Sequence, residues 1–477
     1  MRKAWLLAGA ALVGFSGVVA ASTARAETLE EVLASAYLTN PSLQARRAEQ
    51  RSVDEGVARA LSGWRPSIRY TASAARTRTE NNQYALPVQE HLREQLHTPT
   101  TQAVTIAQNL YQGGRTVAST RQAEASVLAE RAQLHATEQQ VLLNAATAYL
   151  NVVRDEAVLK LNINNEQVLR RQLEAAQERF RVGEITRTDV SQAEARLARS
   201  MADRVQAEGT LQASRANFVN VIGAAPQNLE PAQNGPAVPA SFDEVKVTAL
   251  AKNPNVIARD WTAQAAKDAI DVQRSVLLPS VDLRGDYSRS HGSTFADNVG
   301  SNLSEIDSLG ATLQVTVPIY EAGEAYASVR SQKHTYGQRR IEADQARRDA
   351  LESASAAWEN LQAARARIKS YESQIQASEM ALAGVEEEAK VGSRTVLDVL
   401  DAEQELFDAR VNLVRAQRDS TVAAYTLKQA IGQLTAEALG LQVGIYDPVK
   451  HYEDVRGRFI GTGIEPLPGY EEYEFKK

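Results

Sequence analysis

The clearest pattern of apolar and polar positions lies between residues 279 and 320. Val281, Leu283 and Tyr287 alternate with Asp282, Arg284, Asp286 and Ser288; further on, Leu309, Ala311, Leu313, Val315, Val317 and Ile319 alternate with Thr312, Gln314 and Thr316. A period of two is that of a strand with one wet face and one apolar face, so strands are expected over about 279–292 and 308–320. A weaker version of the same pair is expected over about 66–79 and 100–111. Polar loops, Glu80 to Pro99 and His291 to Ser308, would join the strands of each pair.

A helical pattern follows each pair. From Thr116 to about Arg181 the chain has no proline and is dominated by Ala, Gln, Glu, Arg and Leu, which suits one helix of about 100 Å at 1.5 Å per residue. A second helix is expected from about 188 to 222. In the later half the matching helices run over about 325–390 and 396–431. In the last of these, Val399, Ala402, Leu406, Ala409, Leu413, Ala416, Ser420, Ala423 and Leu427 keep an unbroken three-four spacing, the mark of helices packed side by side as a coiled coil. Their partners 209 residues earlier are Val190, Ala193, Leu197, Ser200, Arg204, Ala207, Leu211, Ser214 and Phe218. Before the strands, the segment from Leu29 to Leu61 reads as helix from Pro41 onward.

The chain is one unit written twice. Asn40-Pro41 recurs as Asn253-Pro254 and Pro66-Ser67-Ile68 as Pro279-Ser280-Val281, both 213 residues on. Leu110-Tyr111-Gln112-Gly113-Gly114 recurs as Ile319-Tyr320-Glu321-Ala322-Gly323, and Arg181-Val182-Gly183 as Lys390-Val391-Gly392, both 209 on. A fixed offset that changes once is the signature of a duplication, and the change of four places the length difference in the loop between the strands of a pair. The expected organisation is repeat 1 over 27–224, a Pro-rich linker over 225–241, repeat 2 over 242–439 and a tail over 440–477 to which the sequence assigns no role.

Residues 1–26 carry a basic start (Arg2, Lys3), an apolar run and Ala24-Arg25-Ala26, the layout of a cleaved secretory signal peptide, so the mature chain is expected to begin near Glu27 outside the cytoplasm. No later window approaches the ~20 apolar residues of a membrane-spanning helix. The absence of cysteine excludes disulfides, thiolate metal sites and cysteine nucleophiles, and a formal charge of −6 without a basic stripe gives no surface for nucleic acid. No metal-ligand cluster, phosphate-binding loop or nucleophile–base set stands out. The expectation is a protein that is not an enzyme and needs no cofactor.

Alternating strands in an exported chain need closure, since open edges aggregate. Four strands cannot close a barrel alone, and barrels start at ~8 strands, so a dimer, a trimer or a tetramer would each serve. The long helices would then continue the wall beneath the membrane, and the loops 80–99 and 291–308 would face the cell exterior.

The Leu-Tyr-x-Gly-Gly turn, the Val-Gly-x-x-x-x-x-Asp-Val turns of both copies and the duplicated layout over about Glu27 to Leu439 resemble the TolC family of outer-membrane efflux and type I secretion channels. The resemblance implies a mainly α fold with membrane β: a homotrimer with a twelve-stranded outer-membrane β-barrel set in lipid and continued by a twelve-helix periplasmic α-barrel. It also implies the role of passive exit duct, docking a periplasmic adaptor protein and an inner-membrane ABC or proton-driven transporter. A periplasmic coiled-coil adaptor or structural protein is the alternative.

Chemistry concentrates at the helical turns far from the strands. Val182, Gly183, Val391, Gly392 and Ser393 form the tip turns, where an adaptor would dock. Gly183 and Gly392 suit the left-handed residue that ends a helix, and Thr186 with Asp189 and Thr395 with Asp398 suit capping boxes at the next one. Arg394 and Asp401 differ from their copy-one counterparts, Ile185 and Gln192. The resemblance implies that Asp189, Arg394, Asp398 and Asp401 hold the tunnel end shut and line its constriction. One departure is Ala389, where the family sometimes has an aromatic residue that adds a closing contact.

Overall fold

The protein is described by a computed structural model that covers residues 27–80, 94–231, 235–296 and 299–464. Each copy opens with two helices, α1 (Leu29–Thr39) and α2 (Pro41–Leu61) in the first, α5 (Phe242–Lys252) and α6 (Pro254–Arg274) in the second. The expectation of helix only from Pro41 therefore missed α1. Proline at the first position of a helix costs no hydrogen bond, so Pro41 starts α2 without ending helical structure before it. Asn40 and Asn253 explain the recurring Asn-Pro. The Oδ1 of each caps the helix it precedes, accepting from Ser42 N and Asn255 N at 3.0 and 2.9 Å. The Nδ2 of each donates to Val221 O at 3.0 Å and Ala430 O at 2.9 Å, carbonyls at the end of the same copy's shorter helix and 209 residues apart. One side chain thus ties the start of each copy to its close.

The strands form two hairpins in one antiparallel sheet. β1 (Ser67–Ala74) pairs β4 (Thr100–Gln112), β4 pairs β5 (Ser280–Ala296), and β5 pairs β6 (Val299–Thr316). In copy one the far ends are separate strands, β2 (Thr77–Glu80) and β3 (Glu94–His97). The break falls beside Pro99, which has no N–H to give to a ladder. The expected loop at 291–308 does not hold: β5 and β6 continue through it to residues 296 and 299. Conversely, β6 stops at Thr316 rather than 320, two residues before Pro318. The four-residue difference between copies and most of the expected loop 80–99 fall at the far ends of the hairpins, in part on residues 81–93, outside the described residues.

Cross-strand register sorts the side chains by face. Tyr70, Val104, Tyr287 and Leu309 stand in one row, and Leu283, Leu313, Val281, Val315 and Tyr111 continue the same face. A bulge between Asn109 and Tyr111 puts Tyr111 on that face. From Val315 to Leu309 the apolar rows cover about 20 Å at ~3.3 Å per residue. Beyond them lies a polar row in which Arg289 holds Asp307 at 2.8 Å. The opposite face is polar, with Thr105 Oγ1 donating to Asp286 at 2.9 Å. The outer strands β1 and β6 have no second ladder among the described residues. Leu309 is 86 % exposed and Ile68 71 %.

Two helices of 67 residues, α3 (Arg115–Arg181) and α7 (Glu324–Lys390), descend from the sheet, each about 100 Å long. Their strand-side halves pack on α2 and α6; their far halves pack on α4 (Arg187–Ile222) and α8 (Val396–Ala430). Every position of the three-four stripe on α4 and α8 is buried or half-buried, as a coiled-coil seam requires. The main core sits midway, where Leu33, Tyr37, Leu43, Leu142, Tyr149, Phe218 and Leu434 meet. Tyr149 there donates to Glu230 O at 2.6 Å, which fixes the linker to α3. The tail adds one helix, α9 (Pro448–Arg456), which packs on α2.

Candidate functional site: the tips of the long helices

Both tips are built alike. α3 ends through Gly183 at φ +84° and α7 through Gly392 at φ +80°, a conformation that other residues enter only at a cost of ~1–2 kcal/mol. Glu184 N and Ser393 N then donate back to Arg179 O and Glu388 O at 2.9 and 3.0 Å, satisfying carbonyls that the helix end leaves free. The next helices start in capping boxes: Thr186 Oγ1 and Thr395 Oγ1 accept from Asp189 N and Asp398 N at 3.3 Å, and each Asp Oδ2 accepts from the Thr backbone N–H and hydroxyl. The Thr395 backbone N–H is the main cause that holds the Asp398 carboxyl below its usual range, followed by the Thr395 hydroxyl; Arg394 adds to it. Asp189 and Asp398 therefore cap helices in this chain.

The other two residues behave differently. Arg394 stays within its own turn, its Nε donating to Glu388 Oε2 at 2.9 Å, and that pairing raises the guanidinium above its ordinary value. Asp401 reaches the other copy, accepting from Arg196 Nη2 of α4 at 2.5 Å. Arg196 is 28 % and Asp401 57 % exposed. Arg196 was not among the residues singled out from the sequence, yet a signal existed. Its counterpart 209 residues on is Glu405 and that of Asp401 is Gln192, so both ends of the pair carry charges that the other copy reverses or lacks.

Beneath the tips a small apolar cluster of Leu169, Ala176, Ala193 and Leu400, with Ile185 and Val396 against it, holds α8 to the α3–α4 pair. Ile185 is the counterpart of Arg394. One copy thus turns an apolar residue into the seam where the other presents a cation to water. A second polar link crosses the same seam: Gln172 Nε2 of α3 donates to Glu403 Oε1 of α8 at 2.9 Å, while the buried Oε2 has no partner. Burial pushes the Glu403 carboxyl up. At the outermost points Val182 and Val391 are 70 % and 81 % exposed.

Comparison with known proteins decides the family. The model of the family described as "Outer membrane efflux protein" matches residues 32–224 and 246–433, one match per copy. The chain belongs to that family. It is 35 % identical to the outer membrane efflux protein BepC of Brucella suis over 95 % of this chain and 96 % of that one, and 27 % identical to the outer membrane protein TolC of Vibrio cholerae over 86 % and 92 %. Among solved structures, the Campylobacter jejuni CmeC outer membrane channel superposes with a TM-score of 0.73 over 90 % of this chain and 89 % of that chain, at 16 % identity, a likeness of fold. As a member of the family, this chain is an outer-membrane protein whose helices reach into the periplasm, and its two-copy layout is the family's own. The tips of α3 and α7, about 100 Å from the sheet, are the periplasmic end.

Proposed function

We propose that three copies of this chain form an exit duct, with a twelve-stranded barrel in the outer membrane and a twelve-helix tunnel below it. The observation that carries the reading is the sheet. It has four strands abreast, one apolar face about 20 Å deep, and outer edges on β1 and β6 left unpaired among the described residues. Such edges demand further strands, and another copy of the chain supplies strands that match. The duct serves a tripartite efflux or type I secretion system and leaves substrate choice to its partners, an inner-membrane ABC or proton-driven transporter and a periplasmic adaptor. Val182, Gly183, Val391, Gly392 and Ser393 are the surface the adaptor grips.

The periplasmic end is the gate, and the charged tips support this reading. Asp401 is bound across the two copies, Arg394 is half-exposed on an ion pair with Glu388 that a neighbouring subunit could exchange, and Asp189 and Asp398 fix the turns that carry them. Three-fold repetition would gather their carboxylates into a ring, which favours cations in a narrow pore. The test is to purify the protein from outer membranes, measure its mass in detergent, and record it in planar bilayers. A trimer with small, cation-selective conductance is expected, with larger conductance for Arg394→Ala and weaker cation preference for Asp398→Ala combined with Asp401→Ala. A monomer without channel activity would end the duct reading. A conducting trimer whose three variants all match the parent would end the gate assignment alone.

A further inference from the structure

The tail after Gly440 climbs toward the membrane. Ala436 N is bound by Glu138 of α3 at 2.8 Å, Arg131 lies 5.2 Å from the Tyr452 ring, and Arg456 Nη2 reaches Glu124 at 3.0 Å. From residue 138 to 124 of α3 is about 20 Å toward the strands at 1.5 Å per residue. On the other flank, Pro448 O accepts from Gln50 at 3.3 Å and His451 Nδ1 meets buried Asp54 at 3.0 Å, so α9 lies in the groove between α2 and α3. Beyond α9 the chain meets Arg65, one residue before Pro66 and the start of β1. Arg65 Nη1 donates to Arg458 O at 2.7 Å, its guanidinium sits 3.9 Å over the Phe459 ring, and Arg458 Nη1 donates to Gly463 O at 2.8 Å.

This fixed segment exposes what a protein in water would hide: Phe459 is 74 %, Ile460 93 % and Ile464 80 % accessible. It does so level with the foot of the sheet, where Trp64, Tyr111, Ile319 and Tyr320 are also exposed. Trp and Tyr at such a level mark the membrane–water interface. We infer that residues 457–464 form an interfacial foot, in which Phe459, Ile460 and Ile464 enter the periplasmic leaflet of the outer membrane while Arg65 and Arg458 lie at lipid phosphates. The inference rests on the barrel reading given above. The occupant is phospholipid because the apolar side chains continue the exposed band at the strand bases and two guanidinium groups stand beside them, the pairing of apolar and basic groups that interfacial segments use. α9 supplies the rigid strap that holds the foot at that depth.

The chain has no cysteine, so single cysteines report cleanly. Full-length Ile460→Cys, Leu309→Cys and Glu405→Cys are labelled with an environment-sensitive fluorophore. Each is reconstituted in phosphatidylethanolamine–phosphatidylglycerol vesicles, with and without lipid carrying a nitroxide near the headgroup, and held in parallel in a lipid-free amphipathic polymer. The expected result is a blue-shifted emission for position 460 both in vesicles and in the polymer, whose alkyl chains cover the same apolar band, with more than half the vesicle intensity lost to the nitroxide, while 309 is quenched and 405, on α8 near the tip, is not. Quenching at 309 without quenching at 460 overturns the foot and leaves the barrel standing. A position 460 that is blue-shifted in both media but untouched by the nitroxide shows protein cover, by a second copy, and also overturns it. Loss of quenching at both positions removes the barrel reading and the foot with it.

Discussion

The Arg196–Asp401 pair makes the most direct demand on the gate reading. It joins α4 of the first copy to α8 of the second at 2.5 Å, and with 28 % and 57 % exposure it belongs among surface ion pairs, each worth about 0.2–1 kcal/mol. In the proposed trimer three such links would bias the closed state by about 0.6–3 kcal/mol, so removing all three should raise the opening equilibrium roughly 3- to 150-fold, a tenfold change corresponding to about 1.4 kcal/mol. Arg196→Ala and Asp401→Ala should each raise open probability in planar bilayers, and the double variant should exceed neither single by much, because the same contact is lost in all three. Salt supplies an independent axis: the screening length falls from about 10 Å at 0.1 M to about 3 Å at 1 M. The parent should therefore open more readily as salt rises, while Arg196→Ala responds less. Effects of the two single substitutions that simply add, with an unchanged salt response, would show that the pair does not hold the tip.

Three further outcomes follow from the same geometry. Thr395→Ala removes the hydroxyl that caps α8 and should cost about 0.5–2 kcal/mol locally, read as faster hydrogen exchange over residues 396–399 with the midway core unchanged. Gly432→Ala should lower the yield of folded protein far more than Gly223→Ala: both sit at positive φ, but a Cβ at 432 would meet the Lys252 carbonyl oxygen at 2.0 Å whereas 223 faces open space. Burial raises the Glu403 carboxyl above its unfolded value of 4.5, so the folded state binds the proton more tightly and stability falls as pH rises from about 4.5 through the raised value. Glu403→Gln should accordingly be more stable than the parent at neutral pH, with the difference shrinking on acidification; a difference that grows instead would mean the carboxylate is held ionised.

The repeat, the length of α3 and α7 and the apolar rows at the foot of the sheet were legible because each rests on a period that burial enforces over many residues. The extension of β5 and β6 through 291–308 was not, because the apolar–polar alternation stops at the apolar rows and Gly292, Gly300 and scattered serines follow. Arg289, Asp307 and Ile306 keep no period of two there, and the strand is set by its ladder. Helix α1 was hidden by Pro41, which begins a helix as readily as it ends one. The tail carried no period at all. Its place depends on single contacts, Arg131 on Tyr452 and His451 on Asp54, that no spacing rule announces.

At the tips the sequence showed which charges differ between the copies but not their partners, and the reason bears on how such an end can open. A buried tie such as Asn40 to Val221 O is dictated by a need, since an unmet buried polar group costs about 1–3 kcal/mol, and it recurs in both copies with the same geometry. Exposed charges carry no such need: water serves Arg394, Arg196 and Asp401 nearly as well as a carboxylate or guanidinium does. Their partners are therefore free to change between states, which makes them poor subjects for sequence reasoning and suitable ones for a latch. Glu403 is the exception on the same helix. Its unpartnered Oε2 is buried in the α3–α8 seam, so any motion that parts α8 from α3 hydrates a carboxylate that the closed packing leaves unmet. On the gate reading, the exposed pair would resist opening while the buried carboxylate would favour it, each offsetting part of the other. On that reading a small docking contribution at the tip would suffice to move the balance.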